Sequence, residues 1–341
     1  QKQADSFLVY NTNYTYLEEQ IEYYRSQADL IVVELSDLAR METSDTAFAR
    51  IVEQERKLQI NKIDQFIGMI SQQMNPQHDL LLLVGVSPAK AMIELKDTFT
   101  PVLAYGKGFP PGMLSSATSR RDYVVANTDI APTVLNAFGL EDKARVMIGQ
   151  VMVSKPLPAG DNLQQARDLG IAASTVNRLR NPIIKGYVVL QIIIILLSLA
   201  VIFWIRHGAR ILRPLLVGMV VVPLVLLALT KVHLGNDWLY IVLAIIATAI
   251  VTAAVLFLLK NDGFKGFVLI SFLTFLAINL DLLTGTSFIQ NSVLGYDPMS
   301  GARYYGIGNE YMGILIGSSI AIASALYQKY HNRQVLWLIA V

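Results

Sequence analysis

Hydrophobic positions along this chain come first in short runs broken by polar residues, then, from about residue 183, in long runs with almost no interruption. The first long run, residues 183–205, reads IIKGYVVLQIIIILLSLAVIFWI, and only Lys185 and Gln191 in it resist lipid. About 20 apolar residues at about 1.5 Å each cross a hydrocarbon core of about 30 Å, so this run predicts a transmembrane helix. Runs at 212–230, 238–259, 267–283 and 311–326 predict four more spans, and 335–341 begins a sixth. Residues 159–182 read as an amphipathic helix that enters the membrane through Asn181-Pro182.

Upstream of the switch the periods are those of a folded extramembrane domain. Residues 7–10 form a short β-like run, and 14–26 carry Leu17, Ile21 and Tyr24 at helical spacing. The run LIVVEL at 30–35 predicts a strand buried on both faces. Residues 46–74 place apolar side chains at helical spacing, with Ser44 or Asp45 as N-cap. LLLLVGV at 80–86 and TPVLAY at 100–105 predict two further strands, and 129–138 a short helix closed by Gly139. Alternating strands and helices predict a layered α/β domain over 1–158 with a largely parallel sheet, followed by an α-helical polytopic membrane domain over 183–341. That length suffices for one core.

Three motifs in this order, DLLLLVGVSP, FTPVLAYGKGF and TDIAPTVLNAFGL, follow a strand with an acidic loop and a long helix containing ID..IG.I. Together they resemble the C-terminal portion of the alkaline phosphatase superfamily, which includes cofactor-independent phosphoglycerate mutases, sulfatases and envelope phosphoethanolamine transferases. The likeness covers roughly residues 30–156, and no stretch matches the family's nucleophile-bearing first part. It implies two divalent metals held by Asp and His, with a metal-activated Ser or Thr as nucleophile. The chain departs from that pattern where it matters. The strand end that reads T-A-D-H-G in the family is Val84-Gly85-Val86-Ser87-Pro88 here, and the family's H-T-P histidine is Phe99. Of the 4 histidines in the chain, His78 alone lies in residues 1–158. Asp37 stands where the family has an acidic ligand, yet one carboxylate holds no metal pair. The reading is a degenerate, catalytically silent domain that needs no cofactor. Asp37, Arg40, Glu42 and Asp45 read as a solvated loop with a helix cap or as a surviving ligand set. Asp129 reads as a helix cap or a loop tie, and Arg120 with Arg121 as a surface pair or a phosphate grip.

Composition narrows the class further. At 53% hydrophobic and 16% charged, with a mean hydropathy of +0.45, the chain is too apolar and charge-poor for an ordinary soluble protein. A net charge of +2 without a long basic run argues against nucleic-acid partners. The absence of cysteine excludes disulfides and thiolate sites. The opening residues lack a signal-peptide pattern and the sixth apolar run is short, so the natural chain is expected to extend beyond both ends.

Basic residues set the expected orientation. Arg206, Arg210, Arg213, Lys260, Lys265, Lys329 and Arg333 fall on one side, against Arg178, Arg180, Lys185, Lys231 and Arg303 on the other. The positive-inside rule makes the first side cytoplasmic and residues 1–182 extracytoplasmic in a multi-pass cell-membrane protein of a bacterial envelope. On the outer side, residues 284–313 form a glycine-rich loop among aromatics. Glycine lets the backbone approach a ligand or a helix closely, and ionisable groups at a membrane boundary raise a functional hypothesis. Asp297, Arg303, Tyr304, Asn309, Glu310 and Asp281 are therefore the candidate substrate-binding residues, with Arg303 holding an anionic group and Asp297 or Glu310 serving as acid, base or cation ligand. The bland alternative is a solvated loop with ordinary turns. Gly313 and Gly317 read as a helix-packing pair.

Three functions compete on this reading. The favoured one is a silent phosphatase-like ectodomain that binds, gates or scaffolds while the membrane half handles a lipid-linked or anionic envelope substrate. The second is an active phospho-group transferase with its nucleophile upstream. The third is a structural subunit among other envelope proteins.

Overall fold

The computed structural model describes residues 11–42, 49–140, 146–157, 162–204, 208–232, 236–297, 299 and 304–330. The expected β run at 7–10, the Ser44 or Asp45 cap, Arg206, Arg303, Arg333 and the sixth span all lie outside these residues. The chain divides into two compact units, one of residues 1–94 with 100–112 and one of residues 95–99 with 113–341.

In the first unit, α1 (Tyr14–Arg25) starts at Asn13, whose side chain accepts from the Tyr16 amide and so satisfies one free N–H of the first turn. The short α2 (Asp37–Glu42) precedes the long amphipathic α3 (Ala49–Gln73). Tyr14 of α1 lies 5.4 Å, ring to ring, from Phe66 of α3. Strand β1 (Leu80–Val84) and, after α4 (Lys90–Glu94), strand β2 (Val102–Gly106) pair antiparallel, with Leu80 opposite Gly106 and Val84 opposite Val102.

This sheet corrects the expectation of a largely parallel one. The described residues hold two separate two-stranded antiparallel pairs, and residues 30–35 form no strand. Val32 is 83% exposed, so LIVVEL finds no partner strand among the described residues to bury its apolar faces. A run of β-branched residues specifies extended backbone, whereas pairing depends on which neighbour the tertiary structure supplies.

In the second unit, β3 (Met113–Ser115) pairs antiparallel with β4 (Val153–Lys155), and α5 (Ile130–Ala137) lies between them in sequence. A 3-10 turn (Asn127–Asp129) leads into α5, and Gly139 follows it at φ +70°. Next comes α6 (Asn162–Trp204), which joins the expected amphipathic connector and the first span into one uninterrupted helix. Pro182 sits inside it without ending it. A proline removes one backbone donor, and membrane-associated helices tolerate that loss where neighbouring groups satisfy the freed carbonyl.

Four helices follow: α7 (Ala209–Ala228), α8 (Asp237–Leu258), α9 (Gly263–Leu283) and α10 (Asn309–Tyr330). With α6 they make five helices long and apolar enough to cross a membrane, matching the five full spans expected. Helix α7 packs against α6, α8 and α9, and α9 packs against α10. Val217 and Val221 of α7, Ile270 and Ile278 of α9 and Tyr311 of α10 form the buried centre. Other large apolar side chains face outward, among them Phe257 at 84% exposure, as helices solvated by lipid require. Gly313 and Gly317 have no neighbour within 4 Å of where a Cβ would stand, so their face packs against nothing among the described residues.

Candidate functional site

The loop between α9 and α10 is built around a carboxylate that serves the backbone. Asp281, buried near the end of α9, accepts from the Phe288 amide at 3.0 Å and the Ile289 amide at 2.7 Å. Both amides open the 3-10 turn Ile289–Asn291, whose first N–H groups have no partner within the turn. The turn thus sits on top of α9 and returns the chain into the core, where Ile289, Val293 and Leu294 are buried. Ser292 and the fully buried Tyr311 share a hydroxyl hydrogen bond of 2.7 Å, which ties the loop to α10. Gly295 makes this path possible, since a Cβ there would lie 2.0 Å from the Ile289 carbonyl oxygen.

Two arginines from elsewhere in the chain complete the collar. Arg180 of α6 donates from Nη1 to the carbonyls of Val293 (3.3 Å) and Gly295, and from Nη2 to Glu310 Oε1 at 2.6 Å. The other oxygen of that carboxylate, Oε2, is buried without a hydrogen-bond partner among the described residues. Arg121, in the segment after β3, is 7% exposed. Its Nε donates to the Tyr304 carbonyl at 2.8 Å and its Nη2 to the Gln290 carbonyl at 2.6 Å. Burial pushes this guanidinium down to about 10, against the upward pull of the Asp297 charge, so it stays protonated at neutral pH. Beside it, Arg120 lies over the Tyr305 ring at 4.1 Å, a cation–π contact. Burial, then the Asp129 charge, raises the Tyr304 phenol above its ordinary value.

The remaining candidates take clear places. The Asp297 carboxylate accepts from the Met299 amide at 2.9 Å, and Asn309 is an exposed first residue of α10. The structure thus joins Asp281, Tyr304 and Glu310 in one collar through their backbone or side-chain bonds. Sequence reasoning used Arg180 only for orientation and weighed Arg121 as a surface group or a phosphate grip. Arg180 stood beside a membrane boundary and Arg121 in a polar stretch of the first half, and neither position says anything about its acceptor.

The extramembrane carboxylates are equally committed. Asp129 is fully buried and accepts from four donors: Ser116 Oγ (2.6 Å), Thr118 Oγ1 (2.5 Å), the Ala126 amide (2.8 Å) and the Gln150 amide (2.9 Å). It is the loop tie that sequence allowed. In the first unit, Asp37 is also fully buried and accepts from the Thr12 amide (3.0 Å), Tyr14 Oη (3.0 Å) and Arg40. Burial pushes its carboxyl up, but the hydrogen bonds from Thr12, Arg40 and Tyr14 outweigh that and hold it below the usual carboxylate range. Burial raises the Tyr14 phenol. Val86 and Ser87 are exposed, and Phe99 offers no polar atom. Among the described residues no three His, Cys, Asp or Glu side chains converge as a metal ion would need.

Searches against family models, curated proteins and solved structures return no match to the chain.

Proposed function

We propose that this chain is a multi-pass envelope membrane protein that works as a scaffold: its extracytoplasmic half is catalytically silent and recruits a protein partner, and the bundle keeps it at the bilayer. The observation that carries this reading is the full commitment of the Asp37 and Asp129 carboxylates to internal donors. A carboxylate whose lone pairs already accept three or four hydrogen bonds is a structural clasp, and freeing it for a metal or a proton would unmake the fold around it. The outer collar points the same way, because Arg121 and Arg180 spend their donors on loop carbonyls and Glu310 rather than on an open site.

Exposed apolar surface supports recruitment. Leu103 and Tyr105 share one face of β2 and are 61% and 45% exposed, and the half-exposed Leu30 precedes Val32. A two-stranded sheet with an open apolar face is marginal by itself and marks a protein-binding surface. The degenerate likeness to the phosphatase superfamily fits a domain retained for binding.

The test has two arms. With manganese or zinc supplied, the purified protein is expected to hydrolyse a generic aryl phosphate no faster than buffer, with Asp37→Asn making no difference. Turnover that Asp37→Asn abolishes would restore the transferase reading. In native membranes, Leu103→Glu with Tyr105→Glu is expected to shrink the complex that carries the protein; an unchanged size would remove the recruiting role.

A further inference from the structure

The bundle carries a second feature, lined by residues other than those of the outer collar. Helices α6, α7 and α8 line a groove of about 930 Å³. Along α7 its lining runs from Arg210 and Arg213 to Val222, and along α8 from Phe257 back to Ile245. The nine rises from Arg213 to Val222 at about 1.5 Å each make about 14 Å, close to half of a hydrocarbon core of about 30 Å. The groove is as long as one leaflet is deep.

Its chemistry is graded along that length. Away from the arginines the wall is apolar, with Leu190, Ile194 and Met219 facing it. The hydroxyls of Thr248 and Thr252 do not change this, because each donates to its own helix, to the Ala244 and Thr248 carbonyls at 2.7 Å. Polar donors gather at one end, from Arg210, Arg213 and Asn261. Neither arginine has an ion pair or hydrogen bond among the described residues. The Arg213 stem rests against Gly263, the first residue of α9, whose N-terminal end adds positive partial charge. The nearby Asp262 offers no neutralisation, since it caps α9 through the Lys265 amide and pairs with the Lys265 ammonium at 3.1 Å.

An apolar trough one leaflet deep, ending in two uncompensated guanidiniums, is complementary to one kind of molecule. We infer that this groove is a binding site for an anionic glycerophospholipid, with an acyl chain along α7 and the phosphate between Arg210 and Arg213. Basic pockets between membrane helices recognise lipid headgroups in this manner, and each basic residue near the bilayer surface contributes about fivefold in affinity. The site does not depend on the scaffold reading: it concerns other residues and survives if the extramembrane half proves active.

Native mass spectrometry of the full chain, released from mixed micelles with equal amounts of phosphatidylglycerol and chain-matched phosphatidylcholine, tests it. Wild type is expected to retain phosphatidylglycerol with a preference on the order of thirtyfold, from two such arginines. Arg210→Gln with Arg213→Gln is expected to bring that preference close to one, whereas Arg210→Lys with Arg213→Lys keeps most of it. A large excess of inorganic phosphate should leave the lipid bound. Four results overturn the inference: no headgroup preference in wild type, no lipid retained by wild type, full preference in the glutamine variant, or displacement by inorganic phosphate, which would make the site one for a free anion. A groove filled by another protein helix would show as wild type that retains no lipid. The wild-type preference is read without any variant, so a variant that fails to fold does not remove the test.

Discussion

At the level of single residues, burial decides what each ionisable group does. Asp37 is the clearest case. Its native carboxyl binds a proton more weakly than the unfolded chain does, because burial is outweighed by the bonds from Thr12, Arg40 and Tyr14. The unfolded state therefore takes up the proton first as pH falls. The stabilisation is complete above the unfolded value of about 3.9 and is lost as pH drops through the lower native value. Thermal melting of the detergent-solubilised protein is expected to hold steady from neutral pH down to about 4 and to fall below it, and Asp37→Asn should flatten that fall. A melting curve indifferent to pH in both proteins would show that the clasp contributes nothing. Its place after an apolar run was legible, but that reading put Asp37 in a solvated loop or a ligand set, whereas it is fully buried in a clasp. That it faces Thr12 and Tyr14 was not legible, because the two lie 25 and 23 residues upstream.

Among elements, the collar couples α6 to the start of α10. Arg180 and Glu310 are 130 residues apart in sequence, and their side chains are 17% and 28% exposed. Removing Arg180 leaves Glu310 and two loop carbonyls without their donor, at a cost of roughly 3 kcal/mol. Arg180→Ala is expected to lower the melting temperature more than Glu310→Ala does, since the arginine has the additional acceptors Val293 and Gly295. The double variant should lose less than the sum of the two, with a coupling of about 1–3 kcal/mol; strict additivity would mean that the pair does not interact. The elements themselves were mostly readable. Helix periodicity located α1, α3 and α5 within a few residues, because the apolar face of a helix is written locally. The pairing of β1 with β2, and the lack of a partner strand for residues 30–35 among the described residues, were not readable from the same kind of run.

For the molecule as a whole, the decisive property is its crossing of a bilayer. The chain has no cysteine, so single cysteines report topology without background. Ser87→Cys in the first unit is expected to react with an impermeant maleimide in intact cells, whereas Lys265→Cys, at the N-terminal end of α9, should react only after permeabilisation. The reverse pattern would turn the protein over and place the extramembrane half in the cytoplasm. Either result leaves the five apolar helices in place.

The five apolar helices among the described residues followed from the sequence because hydropathy adds up over about 20 neighbouring residues and the thickness to be crossed is set by the lipid. That Val86, Ser87 and Phe99 carry no metal-ligating side chain was likewise a matter of which letters stand there. Tertiary structure alone decided that Arg121 and Arg180 are spent on loop carbonyls while Arg210 and Arg213 border a groove without partners among the described residues. All four are the same residue type. A guanidinium takes its role from the acceptor that folding brings within about 3 Å, and the chain partner that supplies it can lie more than a hundred residues away.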